Sequence, residues 1–169
     1  MTLFYHDKTL NSIIGNLRQN KQFIASTESC TGGLIATALT AKPGSSDFFK
    51  GGVSAYSNFV KMTLLGVPKS CLDSFGAVSK ETAMFMAYGV KELMACDYGI
   101  SITGIAGPSG GTIQKPVGTV WCGLSYKSHS EAHLLKLSGS RDSIRKKSTI
   151  KALTLLNLFI ETKQRGTRC

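Results

Sequence analysis

Residues 23–41 read FIASTESCTGGLIATALTA. A short apolar run, residues 23–26, enters a polar turn, Thr27-Glu28-Ser29-Cys30-Thr31-Gly32-Gly33. A segment of small and apolar residues, 31–41, follows it, and Pro43-Gly44 then stops the chain. Such an order predicts a buried strand, a tight turn and a helix, the opening unit of an α/β layer.

The rest of the chain repeats that alternation. Leu10, Ile13, Ile14 and Leu17 lie at helical spacing and predict a helix over 7–20. Residues 52–56 read as a second buried strand. Residues 58–65 read as a helix closed by Gly66, with Pro68 beyond it. Ser79 is placed to cap a helix running to about Met94, with Glu81 in its first turn. Residues 98–103 predict a third strand, 117–125 and 131–137 a hairpin, and 141–162 the last helix. Helices alternating with strands, plus one hairpin, predict a single three-layer α/β/α domain over 1–169 with a mixed central sheet.

The 169 residues suit one core, and 42% hydrophobic with 18% charged residues excludes wholesale disorder. The apolar stretches are broken by polar residues and fall short of the ~20 a membrane span needs. The N-terminus lacks a basic region followed by an apolar run, so no signal peptide and a cytoplasmic location are expected. Cys30, Cys71, Cys96, Cys122 and Cys169 show no zinc-knuckle or CxxC spacing, and reduced thiols are expected. His129 and His133 lack the acidic residue of an HEXXH motif between them in the required place. No metal site and no cofactor are expected.

The formal charge of +10 fits an anionic partner, a phosphorylated small molecule or nucleic acid, and equally a solvated basic face. The basic runs at 141–147 and 163–168 are not interleaved with aromatic residues as a nucleic-acid platform requires. Neither nucleic acid nor membrane is therefore expected as a partner, and a homodimer is left open.

Two loops have the composition for chemistry at the carboxyl ends of strands, where open α/β sheets bind ligands. In the first, residues 27–33, a hydroxyl lies beside backbone N–H groups at a strand-to-helix turn. That arrangement stabilises an oxyanion through N–H groups and the helix dipole. Ser29 or Thr31 serves equally well as a helix cap. In the second, residues 103–112, glycines permit close approach of the backbone to an anion, or simply a flexible turn. It carries neither a Walker motif nor a dinucleotide fingerprint. No histidine is near either loop in sequence, so a lysine is the alternative base. Lys61 lies among apolar residues, shortly after Tyr56 and Asn58, and is a candidate. A solvated lysine on an amphipathic helix has the same spacing.

The series Ser26-Thr27-Glu28-Ser29-Cys30-Thr31-Gly32-Gly33, Pro43-Gly44-Ser45-Ser46, Phe49-Lys50-Gly51-Gly52, Tyr56-Ser57-Asn58 through Lys61, and Leu64-Leu65-Gly66-Val67 resembles the CinA C-terminal domain family. So do Gly76-Ala77-Val78-Ser79, Thr103-Gly104-Ile105-Ala106-Gly107-Pro108 with Gly110-Gly111, Lys115-Pro116-Val117-Gly118-Thr119-Val120-Trp121, and Gly139-Ser140-Arg141 through Arg145. The likeness runs in order over nearly the whole chain. It implies an amidohydrolase of pyridine nucleotide salvage that converts nicotinamide mononucleotide to nicotinic acid mononucleotide and ammonia. By position, Ser29 is implied as nucleophile, Lys61 as its base and Tyr56 as an assistant. The amides of Cys30, Thr31 and Gly32 are implied as the oxyanion hole. Asn58, Thr103, Gly104, Gly107, Gly110, Gly111 and Arg141 are implied as substrate contacts, Arg141 suiting phosphate. Thr27 stands where Ala or Gly is common, and Ser140 where Asp often precedes the arginine. Some members carry an N-terminal nucleotide-hydrolysing domain, for which 169 residues leave no room, so that activity is expected to be absent. The rivals are a catalytically silent nucleotide-binding or competence-associated module of the same fold, and a nucleic-acid-associated protein.

Overall fold

The computed structural model describes residues 7–165. Cys169 and the end of the basic tail lie outside them. Helix α1 (Lys8–Gln19) opens on an Asp7 cap and buries Leu10, Ile13, Ile14 and Leu17. Each such side chain contributes roughly 1.5–3 kcal/mol on leaving water. Strand β1 (Ile24–Glu28), buried throughout, leads through the turn into α2 (Leu34–Leu39). A 3-10 turn (Ser45–Asp47) precedes β2 (Phe49–Ser54), and α3 (Asn58–Leu65) begins at a Ser57 cap. Next come α4 (Lys69–Phe75), α5 (Lys80–Leu93), β3 (Tyr98–Gly104), the hairpin β4 (Thr119–Tyr126) and β5 (His129–Lys136), and the long α6 (Arg141–Arg165).

The five strands form one sheet in the order β2-β1-β3-β4-β5. β1 runs parallel to β2 and β3, whereas β3, β4 and β5 pair antiparallel. The sheet is therefore mixed and the domain three-layered, as expected. One face, through Ile24, Ile100, Ile102, Val120 and Cys122, packs on α1, α2 and α6. The other, centred on Ala25, packs on α3, α4 and α5, with Leu65, Leu72, Met86 and Val90 buried.

Some boundaries differ from expectation. α2 is shorter than 31–41, because Gly33 adopts φ +104° and residues 31–33 belong to the turn. β2 begins at Phe49 and stops before Tyr56, which leaves the sheet. α4 was not foreseen: Pro68 caps this short helix, and Cys71 and Leu72 are buried on it. No helix of the described residues is long and apolar enough to cross a membrane. The four described cysteines, Cys30, Cys71, Cys96 and Cys122, are unpaired.

Candidate active site

β1 lies between β2 and β3, and all three end on the same side of the sheet because they are parallel. The turn leaving β1 is thus flanked by the segment after β2, with Tyr56 and α3, and by the loop after β3. Ser29 continues the sheet for one bond, its N–H donating to the Ile102 carbonyl (2.9 Å). The Gly32 N–H then donates to the Ser29 carbonyl (3.1 Å), closing a tight turn. Ser29 is half-buried, whereas Cys30 is only 6% exposed and Thr31 is enclosed.

Glu28 organises the start of α2. It is 2% exposed, and its carboxylate accepts N–H groups from Gly33 (3.1 Å), Ile35 (3.1 Å) and Ala36 (3.0 Å). Two expectations change. The amino end of α2 is occupied by this carboxylate, so its donors and dipole are already engaged. The Gly32 N–H, assigned to the oxyanion hole, is engaged with Ser29. The Thr31 amide has no such engagement among the described residues, and the Cys30 amide is turned only to its own thiol.

Lys61 is 1% exposed, on the inner side of α3. Its Nζ donates to the Ala55 carbonyl (2.7 Å), and no carboxylate pairs with it among the described residues. A buried ammonium without a counterion is costly. Burial accordingly pulls its pKa below the usual lysine value. The Cys30 thiol is pushed up to about 11 by burial, with the Glu28 charge adding and Arg141 and Arg145 opposing.

Arg141 opens α6. Its Nη1 donates to the Gly107 carbonyl (2.7 Å) and its Nη2 to the Tyr56 hydroxyl (3.1 Å). It therefore spans from the loop after β3 to the segment after β2, across the end of β1. One helical turn later, Arg145 Nη2 donates to the Thr31 carbonyl (2.9 Å). Tyr56 is 64% exposed and Asn58 is also exposed. The loop residues divide. Gly107 contributes its carbonyl to Arg141, and Gly110 and Gly111 are exposed. Thr103 is buried and its hydroxyl donates to the Ala77 carbonyl (2.6 Å), which anchors the start of the loop. A Cβ on Gly104 would come within 2.6 Å of Val120 Cγ2, so this glycine is required by sheet packing.

Glu28 and Arg145 were not among the expected site residues. Arg145 carried a signal, since it lies four residues beyond Arg141 on the same helical face. Glu28 carried a weaker one, an acidic residue just ahead of a helix start.

No group of three or more His, Cys, Asp or Glu among the described residues is placed to hold a metal ion. On β5, Glu131 accepts from or pairs with both His129 and His133 (2.9 Å each). A cavity of about 340 Å³ walled by residues 113–114, 116–119 and 134, 136–137 contains none of the candidate residues.

The family described as the CinA C-terminal domain matches residues 6–160. A CinA-like protein of Endomicrobium trichonymphae is 50% identical over 153 residues, covering 90% of this chain and 36% of the relative. A CinA-like protein of Synechocystis is 50% identical over 136 residues, covering 80% and 33%. The chain thus spans about a third of the length of these curated relatives. Among solved structures, the competence/damage inducible protein CihA from Agrobacterium tumefaciens superposes with a TM-score of 0.89 at 36% identity, covering 95% of this chain and 99% of that one. A competence-damaged protein (CinA) superfamily protein from Escherichia coli gives 0.84 at 31% identity, covering 94% of each.

Proposed function

The chain belongs to the CinA C-terminal domain family, and from that premise we propose that it is an amidohydrolase that converts nicotinamide mononucleotide to nicotinic acid mononucleotide and ammonia. The observation that carries this reading is Lys61: a buried lysine with a lowered pKa and, among the described residues, no carboxylate partner, on the helix that flanks the Ser29 turn. A lysine kept for solvation would not be enclosed in this way, and one enclosed as half of an ion pair, as Lys91 is with Glu92, would have a carboxylate beside it.

Neutral Lys61 turns from the Ala55 carbonyl towards Ser29 and accepts its hydroxyl proton as Oγ attacks the carboxamide carbon. The amides of Cys30 and Thr31 receive the developing oxyanion, and the cationic Arg141 and Arg145 favour it electrostatically. Lys61 returns the proton to the leaving nitrogen and ammonia departs. Water, deprotonated by the same lysine, then hydrolyses the Ser29 ester, and the net reaction is amide plus water to acid plus ammonia. Tyr56, hydrogen-bonded to Arg141, borders the opening and assists in holding the substrate. Gly107, Gly110 and Gly111 line the opposite border. Ammonia release from nicotinamide mononucleotide tests the reading. A folded wild-type protein that binds the nucleotide but releases no ammonia would instead be a silent binding module.

A further inference from the structure

We propose that Glu28 is the positioning residue that holds the Ser29 turn in its reactive shape, an inference whose kinetic part rests on the amidohydrolase reading. A carboxylate at 2% exposure is retained only when its oxygens are well satisfied. Glu28 has no cationic partner at hydrogen-bond distance among the described residues. Both of its oxygens are satisfied by backbone N–H groups of Gly33, Ile35 and Ala36.

The connectivity gives this cluster its consequence. The Glu28 backbone is fixed in β1, opposite Ser54 of β2 and Ile102 of β3. Its side chain is fixed to the first turn of α2. The four residues between, Ser29 to Gly32, are therefore tied at both ends by one residue. Arg145 holds the same turn from α6 through the Thr31 carbonyl. The direction of the Ser29 side chain and of the Cys30 and Thr31 amides follows from that double tie. A catalytic constellation displaced by about 1 Å loses rate by orders of magnitude while ground-state binding is little affected.

Glu28→Gln removes one acceptor oxygen and turns an NH₂ group towards backbone donors, so at least one of the three bonds is lost. The expected result is a kcat for ammonia release lowered about 10- to 100-fold, with KM within about twofold of wild type. Amide hydrogen exchange at residues 29–33 should rise at least about tenfold while exchange in β3 and β4 is unchanged. Glu28→Asp is the second variant. It keeps the buried charge but is one methylene too short to span to Ala36, and it should show the same pattern more weakly. A folded variant with wild-type kcat, or with wild-type exchange in the turn, overturns the proposal. A merely structural role is told apart because it would move KM and kcat together, or neither. The exchange measurement needs no substrate, so its outcome is separate from failure of wild-type protein to release ammonia.

Discussion

Ser29 and Cys30 stand side by side at the head of the turn, and burial separates their chemistry. With its pKa raised to about 11, the Cys30 thiol is ionised in roughly one molecule in ten thousand at pH 7. Ser29 is the more accessible of the two and has Lys61 as its candidate base. Ser29→Ala is expected to lower ammonia release by at least about 10³-fold, and Cys30→Ala to retain it within about tenfold. Reversed outcomes in a coupled ammonia assay would move the nucleophile to the thiol. Lys61→Met should lower kcat about 10²- to 10⁴-fold. The same substitution should stabilise the fold at neutral pH, and the sign follows from the lowered pKa. In the unfolded chain this amine holds its proton up to the ordinary value near ~10.4. In the folded chain it resists the proton, so folding carries a cost at neutral and acid pH. The cost fades as pH rises through the window between the lowered and the ordinary values. The Lys61→Met gain in melting temperature should therefore shrink across that window, and a gain independent of pH would show that folding does not lower the Lys61 pKa. Ser29, Lys61, Tyr56 and Arg141 are singled out by motif position, and of these the structure joins Tyr56 to Arg141 by a hydrogen bond and buries Lys61. Glu28 was not legible, because an acidic side chain near a helix start resembles any surface residue until its burial is seen.

Among the elements, α5 shows most clearly what spacing alone hides. Its cap at Ser79 was legible, and the Ser79 hydroxyl accepts from the Thr82 N–H (3.1 Å). Its distance from the sheet was not legible. A Cβ on Gly99 would fall 2.0 Å from the Ala87 carbonyl oxygen, and one on Gly123 would fall 2.2 Å from that of Ala83. Ser101 Oγ donates to the same Ala83 carbonyl (2.6 Å), so β3 and β4 present only small residues where the helix backbone approaches. Since these atoms are backbone, no side-chain rotation relieves the clash. Gly99→Ala and Gly123→Ala are each expected to destabilise by about 1–3 kcal/mol or more. Gly15 is the contrasting case: it lies inside α1, exposed, with nothing within 4 Å of an added Cβ. Gly15→Ala is expected to stabilise by about 0.5–1 kcal/mol. Urea unfolding checks all three, and an equal response at the three positions would contradict the close packing of α5. α4 escaped notice because seven residues show too little periodicity. α2 is shorter than its composition predicts because small residues suit a turn as well as a helix.

In the whole molecule, parallel pairing brings three distant segments to one end of the sheet, and α6 returns to tie them together. The mixed α/β/α architecture was legible from the alternation of elements, since each amphipathic segment must find a face to cover. The convergence of Tyr56, Gly107 and Arg141 was not, because hydrogen bonds across 34 and 85 residues of sequence leave no local pattern. Arg141 has five N–H donors, and the two bonds to Gly107 and Tyr56 leave others for a ligand. Its neighbour Asp142 pairs with Lys146 (2.7 Å), and no carboxylate pairs with Arg141 among the described residues. A guanidinium held rigidly by two neutral acceptors keeps its charge available to an incoming dianion. Arg141→Ala is therefore expected to raise KM for nicotinamide mononucleotide at least about tenfold, the loss of one charge-assisted contact of about 1.5–3 kcal/mol. Hydrolysis of nicotinamide riboside, which lacks the phosphate, should change by no more than about threefold. Because Arg141 also joins the loop after β3 to Tyr56, a second outcome has a definite meaning. Equal losses on both substrates would show that the arginine acts by holding those segments together, and the phosphate would then have to be gripped elsewhere, with Arg145 the remaining cation at the turn.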